Sequence, residues 1–133
     1  MNILVTGANG YIGRSIVKGL KGHRVFGLSR DVIDLTISDQ VDEWLSSRSF
    51  DAIIHCAVKG TTSGCPLKSN DPTILRDNLL MFLNLWKNRR RFDRFIHFGS
   101  GAELDSPYTD YGFSKKIINE IGTSYPRFCN LIV

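Results

Sequence analysis

The sequence contains no long apolar run. Nothing in its 133 residues approaches the roughly 20 consecutive apolar residues that a membrane-spanning helix needs, so we expect no membrane as a partner. We expect no secretory leader either, because residues 1–7 are already typical of a strand that runs into a glycine. The length suits one domain with a real core and is too short for two.

Cysteine is scarce and unpatterned. The three cysteines, Cys56, Cys65 and Cys129, form no CxxC pair or other metal-ligand spacing, and we predict no metal site. An odd number of cysteines without a leader is typical of a reducing compartment, so we expect a cytoplasmic protein. Cys56 lies in an apolar run and is interpreted as a small buried residue.

Acidic residues are in deficit. The chain has 17 lysine and arginine residues against 13 aspartate and glutamate residues, which gives a net charge of +4. Much of the excess lies in residues 87–91, with Arg94 just beyond. We interpret this run as a solvated helix end, where cations suit the negative end of the helix dipole; a nucleic-acid patch or a protein-binding surface is the alternative. Because no recognised binding motif accompanies the run, we expect no nucleic acid as a partner.

Apolar runs of strand length alternate with segments of helical periodicity. Strands are predicted at residues 3–6, 24–28, 52–57, 95–98 and 128–133, and helices at 11–20, 40–47, from 71 onward and at 111–122, with the longest loop at 59–70. The strand segments are nearly continuous apolar runs, which is typical of strands covered on both faces. We therefore predict an α/β fold, a Rossmann-type doubly wound parallel sheet with helices on both faces.

Three glycines stand between the first strand and the first helix. Gly7, Gly10 and Gly13 are spaced as GxxGxxG; the first permits a tight turn, the second lets the backbone approach a pyrophosphate, and the third lets helix and strand pack closely. Their placement predicts a dinucleotide-binding turn whose free N–H groups hold the diphosphate. A purely structural turn is the alternative. The residues predicted to meet the cofactor here are Gly7, Asn9, Gly10, Tyr11, Ile12 and Gly13.

The end of the second strand bears on the choice between NAD and NADP. An acidic residue there binds the adenosine ribose hydroxyls of NAD, whereas this sequence has Ser29 and Arg30, with Asp31 one step later. Arginine is a planar, bidentate partner for a phosphate, so Ser29 and Arg30 favour the 2′-phosphate of NADP. The alternative is that Arg30 is a surface cation.

Tyr111 and Lys115 form a YxxxK pair. On a helix this spacing places the phenol and the ammonium on one face, about one turn apart. A free tyrosine, with a pKa of about 10, is a poor base at neutral pH, but a neighbouring cation favours the phenolate. The pair therefore predicts a tyrosine that exchanges a proton with a substrate hydroxyl or carbonyl during hydride transfer. Ser100 follows the strand at 95–98 and is either a turn residue or a third member of this group.

With these residues the chain resembles the extended short-chain dehydrogenases/reductases, the NAD-dependent epimerase/dehydratase family that modifies nucleotide sugars. TGxxGxxG is the form of glycine turn found in that family. The resemblance implies that Ser100 hydrogen-bonds the reacting oxygen, that Lys115 also holds the cofactor ribose, and that Asn78 shapes the site. Gly99 stands where the family often has a second serine. The resemblance also implies further cofactor contacts, at Asp34 and Leu35 for the adenine and at Cys56, Ala57 and Val58.

The function expected from the resemblance is that of an NAD(P)-dependent nucleotide-sugar epimerase/dehydratase or reductase. Residues 1–133 are then expected to form the NAD(P)-binding domain, with NADP favoured over NAD. We also expect the sheet to be incomplete at the C-terminus and the substrate-binding domain of the family to be absent. A homodimer through the helices that carry Asn78 and YxxxK is possible, and the apolar face of residues 74–86 would allow it. The alternatives are a dinucleotide-binding module or redox sensor without turnover, and a reductase of a small ketone or lipid-linked substrate.

Overall fold

A computed structural model describes residues 1–60 and 71–133. The strands are β1 (Asn2–Thr6), β2 (Arg24–Leu28), β3 (Phe50–His55), β4 (Phe92–Phe98) and β5 (Phe128–Leu131). The helices are α1 (Tyr11–Gly19), α2 (Ser38–Ser46), α3 (Pro72–Trp86), α4 (Ala102–Asp105) and α5 (Asp110–Gly122), with a 3-10 helix at Arg89–Arg91. Residues 61–70, which include Cys65 and most of the predicted loop, lie outside the described residues. No helix in the described ranges is long and apolar enough to cross a membrane.

The strands pair in parallel in the order β2-β1-β3-β4-β5. Helices lie on both faces because alternate residues of each strand point to opposite sides. Ile3 and Val5 pack against α1 on one face, whereas Leu4, Ile53 and Phe95 face the core beneath α2, α3 and α5. The predicted Rossmann-type doubly wound sheet is therefore confirmed.

The helix starts follow local sequence signals. The Asp71 carboxylate caps α3 by accepting a hydrogen bond from the Thr73 N–H, and Pro72 occupies the first turn, where its missing N–H costs nothing. The Thr109 hydroxyl caps α5 by accepting from the Gly112 N–H at 3.0 Å. These caps fix where the functional face of each helix begins.

Most of the element bounds differ from prediction by one or two residues, and three of the differences bear on the site or on the sheet. β3 ends at His55, so residues 56 and 57 belong to the segment that leaves the sheet. β4 begins at Phe92, three residues earlier than predicted. The prediction missed this part of the strand because the exposed Asp93 and Arg94 interrupt the apolar run. The short helix α4 was not predicted, since four residues carry no helical periodicity.

The topology places a crevice beside β1. From β1 the chain passes outward to β2 on one side, and it later returns to β3 on the other side. At such a switch point the loops after adjacent strands diverge, and ligands of open α/β sheets bind in the resulting crevice at the carboxyl ends of the strands. The glycine turn after β1 and the segment after β3 both lie there.

A row of polar side chains crosses the same end of the sheet. Thr6, His55, His97 and Asn130 come from four adjacent strands and are partners in register. The Thr6 hydroxyl and His55 Nδ1 are 2.8 Å apart, and the rings of His55 and His97 stack with centroids 5.6 Å apart. We call these four residues the polar row.

Candidate cofactor-binding and catalytic site

A cavity of about 910 Å³ opens at the switch point. Its walls come from the glycine turn, the end of β2, the segment after β3 and α3. Every residue predicted to contact the cofactor lines this cavity except Asn9 and Lys115. The lining residues that were predicted are Gly7, Gly10, Tyr11, Ile12, Gly13, Ser29, Arg30, Asp34, Leu35, Cys56, Ala57 and Val58.

Backbone packing accounts for two of the glycines in the turn. Gly7 has a φ of +65°, and a Cβ at this position would lie 2.7 Å from the Ala57 nitrogen. A Cβ at Gly13 would lie 2.2 Å from the Gly7 carbonyl oxygen. Both positions therefore exclude a side chain. Gly10 precedes α1 without a side-chain cap, so the first N–H groups of the helix have no intrahelical acceptor and can donate to an anion.

The end of β2 presents both a cation and an anion. Arg30 is exposed and lines the cavity. The Ser29 hydroxyl donates to the Asp31 carboxylate, and this hydrogen bond lowers the pKa of Asp31 below its ordinary value. Asp31 itself does not line the cavity. The serine that was predicted to meet a phosphate is thus engaged with a neighbouring carboxylate.

Asp34 is prepared to accept a hydrogen bond in the cavity. Its Oδ1 accepts from the Thr36 N–H at 2.9 Å and from the Thr36 hydroxyl at 2.7 Å. These two bonds lower the pKa of Asp34 below its ordinary value, so the group is ionised at neutral pH. Its second oxygen accepts none of the side-chain hydrogen bonds found in the described chain, and it is suited to an amino group such as that of adenine.

The YxxxK pair lies beyond the Gly60 end of the cavity. A Cβ at Gly60 would be 3.2 Å from Cε2 of Tyr111, so the tyrosine ring lies against this part of the lining. Lys115 Nζ is 5.7 Å from the Tyr111 ring centroid and donates to the Phe98 carbonyl oxygen at 2.6 Å. Burial lowers the pKa of Lys115 to about 8, although the charge of Glu103 and the Cys56 thiol act in the opposite direction.

Asn78 joins the cofactor segment to the helix that carries the pair. Its Oδ1 accepts from the Lys59 N–H at 2.7 Å, and its Nδ2 donates to the Lys59 carbonyl at 2.9 Å and to the Ser114 hydroxyl at 3.2 Å. Because Asn78 is buried, these bonds fix the segment after β3 relative to α5. Its contacts are with the protein and it does not line the cavity.

Ser100 lies in the turn between β4 and α4. Its hydroxyl oxygen accepts from the Ala102 N–H at 3.2 Å, and it also lies outside the cavity lining. The structure therefore places twelve of the fourteen residues predicted to contact the cofactor in one cavity, with Tyr111 against one end of it. The cavity lining does not include Ser100, Asn78 or Lys115.

The histidines near the pair carry no charge. Burial lowers the pKa of His55 to about 3, and burial also lowers the pKa of His97 far below its ordinary value. The positive charge of Lys115 adds to both effects. Both imidazoles are therefore neutral at physiological pH. Among the described residues, no three His, Cys, Asp or Glu side chains are grouped as a metal site.

Comparison with known proteins bears on the family. Residues 3–127 match the model of the NAD dependent epimerase/dehydratase family. The chain belongs to this family. The resemblance predicted from the glycine turn and the YxxxK pair is thereby confirmed. A comparison with curated proteins gives no match.

Solved structures of similar fold include several enzymes that act on nucleotide sugars. A dTDP-4-dehydrorhamnose reductase from Clostridium acetobutylicum is 21% identical, with a TM-score of 0.85 over 99% of this chain and 52% of that one. A GDP-mannoheptose C4 reductase from Campylobacter jejuni, with NADP bound, is 18% identical, with a TM-score of 0.83 over 98% and 50%. A UDP-Glc/GlcNAc 4-epimerase from the same organism is 21% identical, with a TM-score of 0.79 over 98% and 52%.

These likenesses show the fold that the epimerase/dehydratase chain shares with its neighbours. The chain spans about half the length of these three structures.

A second group of residues on the cavity wall was not predicted. Asp77 accepts from Lys59 Nζ at 2.8 Å and from Arg76 Nε at 2.8 Å, and these hydrogen bonds lower its pKa. Lys59 Nζ also donates to the Thr73 hydroxyl at 2.8 Å. Thr73 and Asp77 are four residues apart in α3, a spacing that places them on one helix face. That spacing is the one local signal for this group. Lys59, which contacts both side chains, is 14 residues from Thr73 and 18 from Asp77.

Proposed function

We propose that residues 1–133 form an NAD(P)-binding domain and that the protein catalyses hydride transfer at a carbinol or keto carbon of a nucleotide sugar. The carrying observation is the single cavity wall formed by the glycine turn, Asp34 and residues 56–58, with Tyr111 against one end. Membership of the NAD-dependent epimerase/dehydratase family supports the same reading. The nucleotide-sugar enzymes among the structural neighbours support the substrate class.

The residues of the cavity fit a dinucleotide. No Cβ fits at Gly7 or Gly13, so the backbone packs closely there, and the free N–H groups at the start of α1 would hold the diphosphate. Asp34 is an ionised acceptor for the adenine amino group, and Arg30 is the cation for a ribose phosphate. The chemistry that NAD(P) would supply when bound here is hydride transfer.

Tyr111 is proposed to move the proton. In the reducing direction its hydroxyl donates a proton to the substrate's carbonyl oxygen while the carbonyl carbon gains a hydride. In the oxidising direction the phenolate takes the proton back from the substrate hydroxyl. Lys115 beside it stabilises the phenolate by its charge, and Ser100 is proposed to hydrogen-bond the same substrate oxygen. Asn78 holds the segment after β3 against α5, which fixes the distance between the cofactor site and Tyr111.

NADP is the proposed cofactor in preference to NAD. Arg30 on the cavity rim supports it, and the structural neighbours with NADP bound are in keeping with it. Asp31 opposes it, because its carboxylate lies beside Ser29 and would repel a 2′-phosphate. The selectivity is therefore expected to be moderate.

The test is a fluorescence titration of the protein with NADPH and with NADH. We expect NADPH to bind more tightly. Turnover is then followed as the loss of NADPH absorbance with a panel of nucleoside-diphosphate 4-keto sugars, with Tyr111→Phe as the matched variant. Tyr111→Phe is expected to bind NADPH as the parent does but to turn over at least a hundredfold more slowly. Failure of both cofactors to bind would reject the proposal.

A dinucleotide-binding module without turnover is the second candidate. The observation that favours it is that Ser100 and Lys115, two of the predicted catalytic residues, do not line the cavity. Binding of NADPH without turnover of any sugar in the panel would support the module over the enzyme.

The homodimer remains a prediction, with less support than the apolar spacing implied. Ile74, Phe82 and Leu85 of α3 are buried in the core of this same chain. They are therefore not free to form an interface. Leu83 on α3 and Phe113 on α5 are exposed apolar side chains on the two helices.

A further inference from the structure

Lys115 is a buried cation whose immediate surroundings contain little opposite charge. It is 4% exposed, and an ammonium has three N–H donors, of which one is given to the Phe98 carbonyl. The positive charge of Lys115 acts on His55 and His97 of the polar row, and both rings are neutral. Burial raises the pKa of the Cys56 thiol to about 11, although the charge of Lys115 acts in the opposite direction, so the thiol is neutral at pH 7.

Glu103 lies against the residue that follows the hydrogen-bond acceptor of Lys115. Lys115 Nζ donates to the Phe98 carbonyl, Glu103 Oε1 would lie 2.7 Å from a Cβ at Gly99, and the charge of Glu103 raises the Lys115 pKa. Glu103 lies in α4 and is 4% exposed, which is rare for a glutamate unless it is paired. Its Oε1 accepts from Asn130 Nδ2, the last member of the polar row, at 2.9 Å. Its Oε2 is buried and has no hydrogen-bond partner within residues 1–60 and 71–133. The side chain is therefore held by a hydrogen bond at Oε1 only.

The absence of a side chain at Gly99 makes room for Glu103 and Asn130. A Cβ at Gly99 would lie 2.6 Å from Oδ1 of Asn130 and 2.7 Å from Oε1 of Glu103. A serine, which the family often has at this position, would collide with both side chains. The departure at Gly99 and the buried carboxylate at Glu103 are thus one structural feature, and it lies next to Ser100.

We propose that Glu103 is a positioning residue of this site: its buried carboxylate, held by Asn130 over Gly99, is the counter-charge that keeps the Lys115 ammonium protonated beside Tyr111. Its relevance to catalysis rests on the proposed function, in which Lys115 stabilises the Tyr111 phenolate. Glu103 acts through Lys115 and does not itself touch the substrate.

Lysine side-chain NMR of the chain without cofactor tests this directly. The ¹³Cε signal of Lys115, assigned by its loss in Lys115→Arg, is followed from pH 6 to pH 11. Glu103→Gln keeps the shape and a hydrogen-bond acceptor but removes the charge, and it is expected to lower the Lys115 pKa by about one pH unit or more. Glu120→Gln, an exposed glutamate on the same helix as Lys115, is the matched control and is expected to leave it unchanged.

A folded Glu103→Gln protein with an unchanged Lys115 pKa would overturn the proposal. If this variant does not fold, the parent protein decides. Its glutamates are Glu43, Glu103 and Glu120, and the ¹³Cδ signal of Glu103 must report an ionised carboxylate at pH 7. A protonated Glu103 at that pH would equally overturn it. Because both measurements are made without cofactor, a failure of NADPH binding rejects the proposed function and leaves this result standing on its own.

Discussion

Replacing Lys115 by methionine is expected to stabilise the fold at neutral pH. The Lys115 pKa lies at about 8 in the folded chain against an ordinary value of 10.5. Between these values the unfolded chain binds a proton that the folded chain has lost, so stability rises with pH across this window. Below pH 8 both states are charged, and the fold bears the full cost of burying the ammonium. At about 1.4 kcal/mol per pH unit the gap corresponds to about 3 kcal/mol.

Methionine keeps the length of the side chain and removes the charge, but it also loses the hydrogen bond to the Phe98 carbonyl. That loss costs about 1 kcal/mol at every pH. Lys115→Met is therefore expected to be about 2 kcal/mol more stable than the parent at pH 7 and nearly equal to it at pH 9.5. The variant would also lack the proposed catalytic function, which makes the buried ammonium a cost that stability alone does not explain.

Urea denaturation at pH 7 and pH 9.5 measures both differences. Lys116→Met is the control, because Lys116 is the exposed neighbour on the same helix and its removal should give no pH-dependent difference. The reasoning is refuted if the change in the free energy of unfolding caused by Lys115→Met is the same at pH 7 as at pH 9.5, as is expected for Lys116→Met.

Two further predictions concern the cofactor cavity. Arg30→Ala is expected to weaken NADPH binding by roughly tenfold or more and to leave NADH within about twofold, whereas Arg24→Ala, at the other end of β2, should change neither in the same titration; equal losses for both cofactors would contradict a phosphate contact. Gly13→Ala is expected to cost at least about 2 kcal/mol in urea denaturation, because its Cβ would overlap the Gly7 carbonyl, whereas Gly19→Ala in the same helix meets no atom within 4 Å and should be neutral or stabilising; equal effects of the two substitutions would argue against the tight turn.

The parts of the fold that sequence predicted well are those with strong local signals. The bounds of α1 and β2 follow from apolar spacing together with Gly22, which lies in the connection between them and has a φ of +84°. The glycine turn was predictable because each glycine has a separate backbone reason that follows from its position between strand and helix. The predicted lining residues after β1 and β2 follow from the same logic, since the carboxyl ends of parallel strands meet at one edge. Asp34, Leu35 and residues 56–58, which also line the cavity, were expected from the family resemblance.

The parts that sequence did not predict depend on residues that are distant in the chain. Lys59 pairs with Asp77 across 18 positions, and Glu103 meets Asn130 across 27. The polar row needs the register of four strands, and no periodicity within one strand reveals that register. The phosphate contact of Ser29 stays a prediction, and here a contact close in the chain, the hydrogen bond to Asp31, competes for the same hydroxyl. Such competition is decided by side-chain geometry, which a motif does not contain.

The glycine turn is built from main-chain atoms on both sides of its closest contacts. Gly13 meets the Gly7 carbonyl, and Gly7 meets the backbone of residues 56 and 57. The side chain of Tyr11, between them in sequence, is 90% exposed and contributes nothing to this packing. The closest contacts of the turn therefore do not depend on the identity of the Tyr11 side chain. This independence from side chains is one physical reason why a fold can be kept at 21% identity while its surface is rewritten.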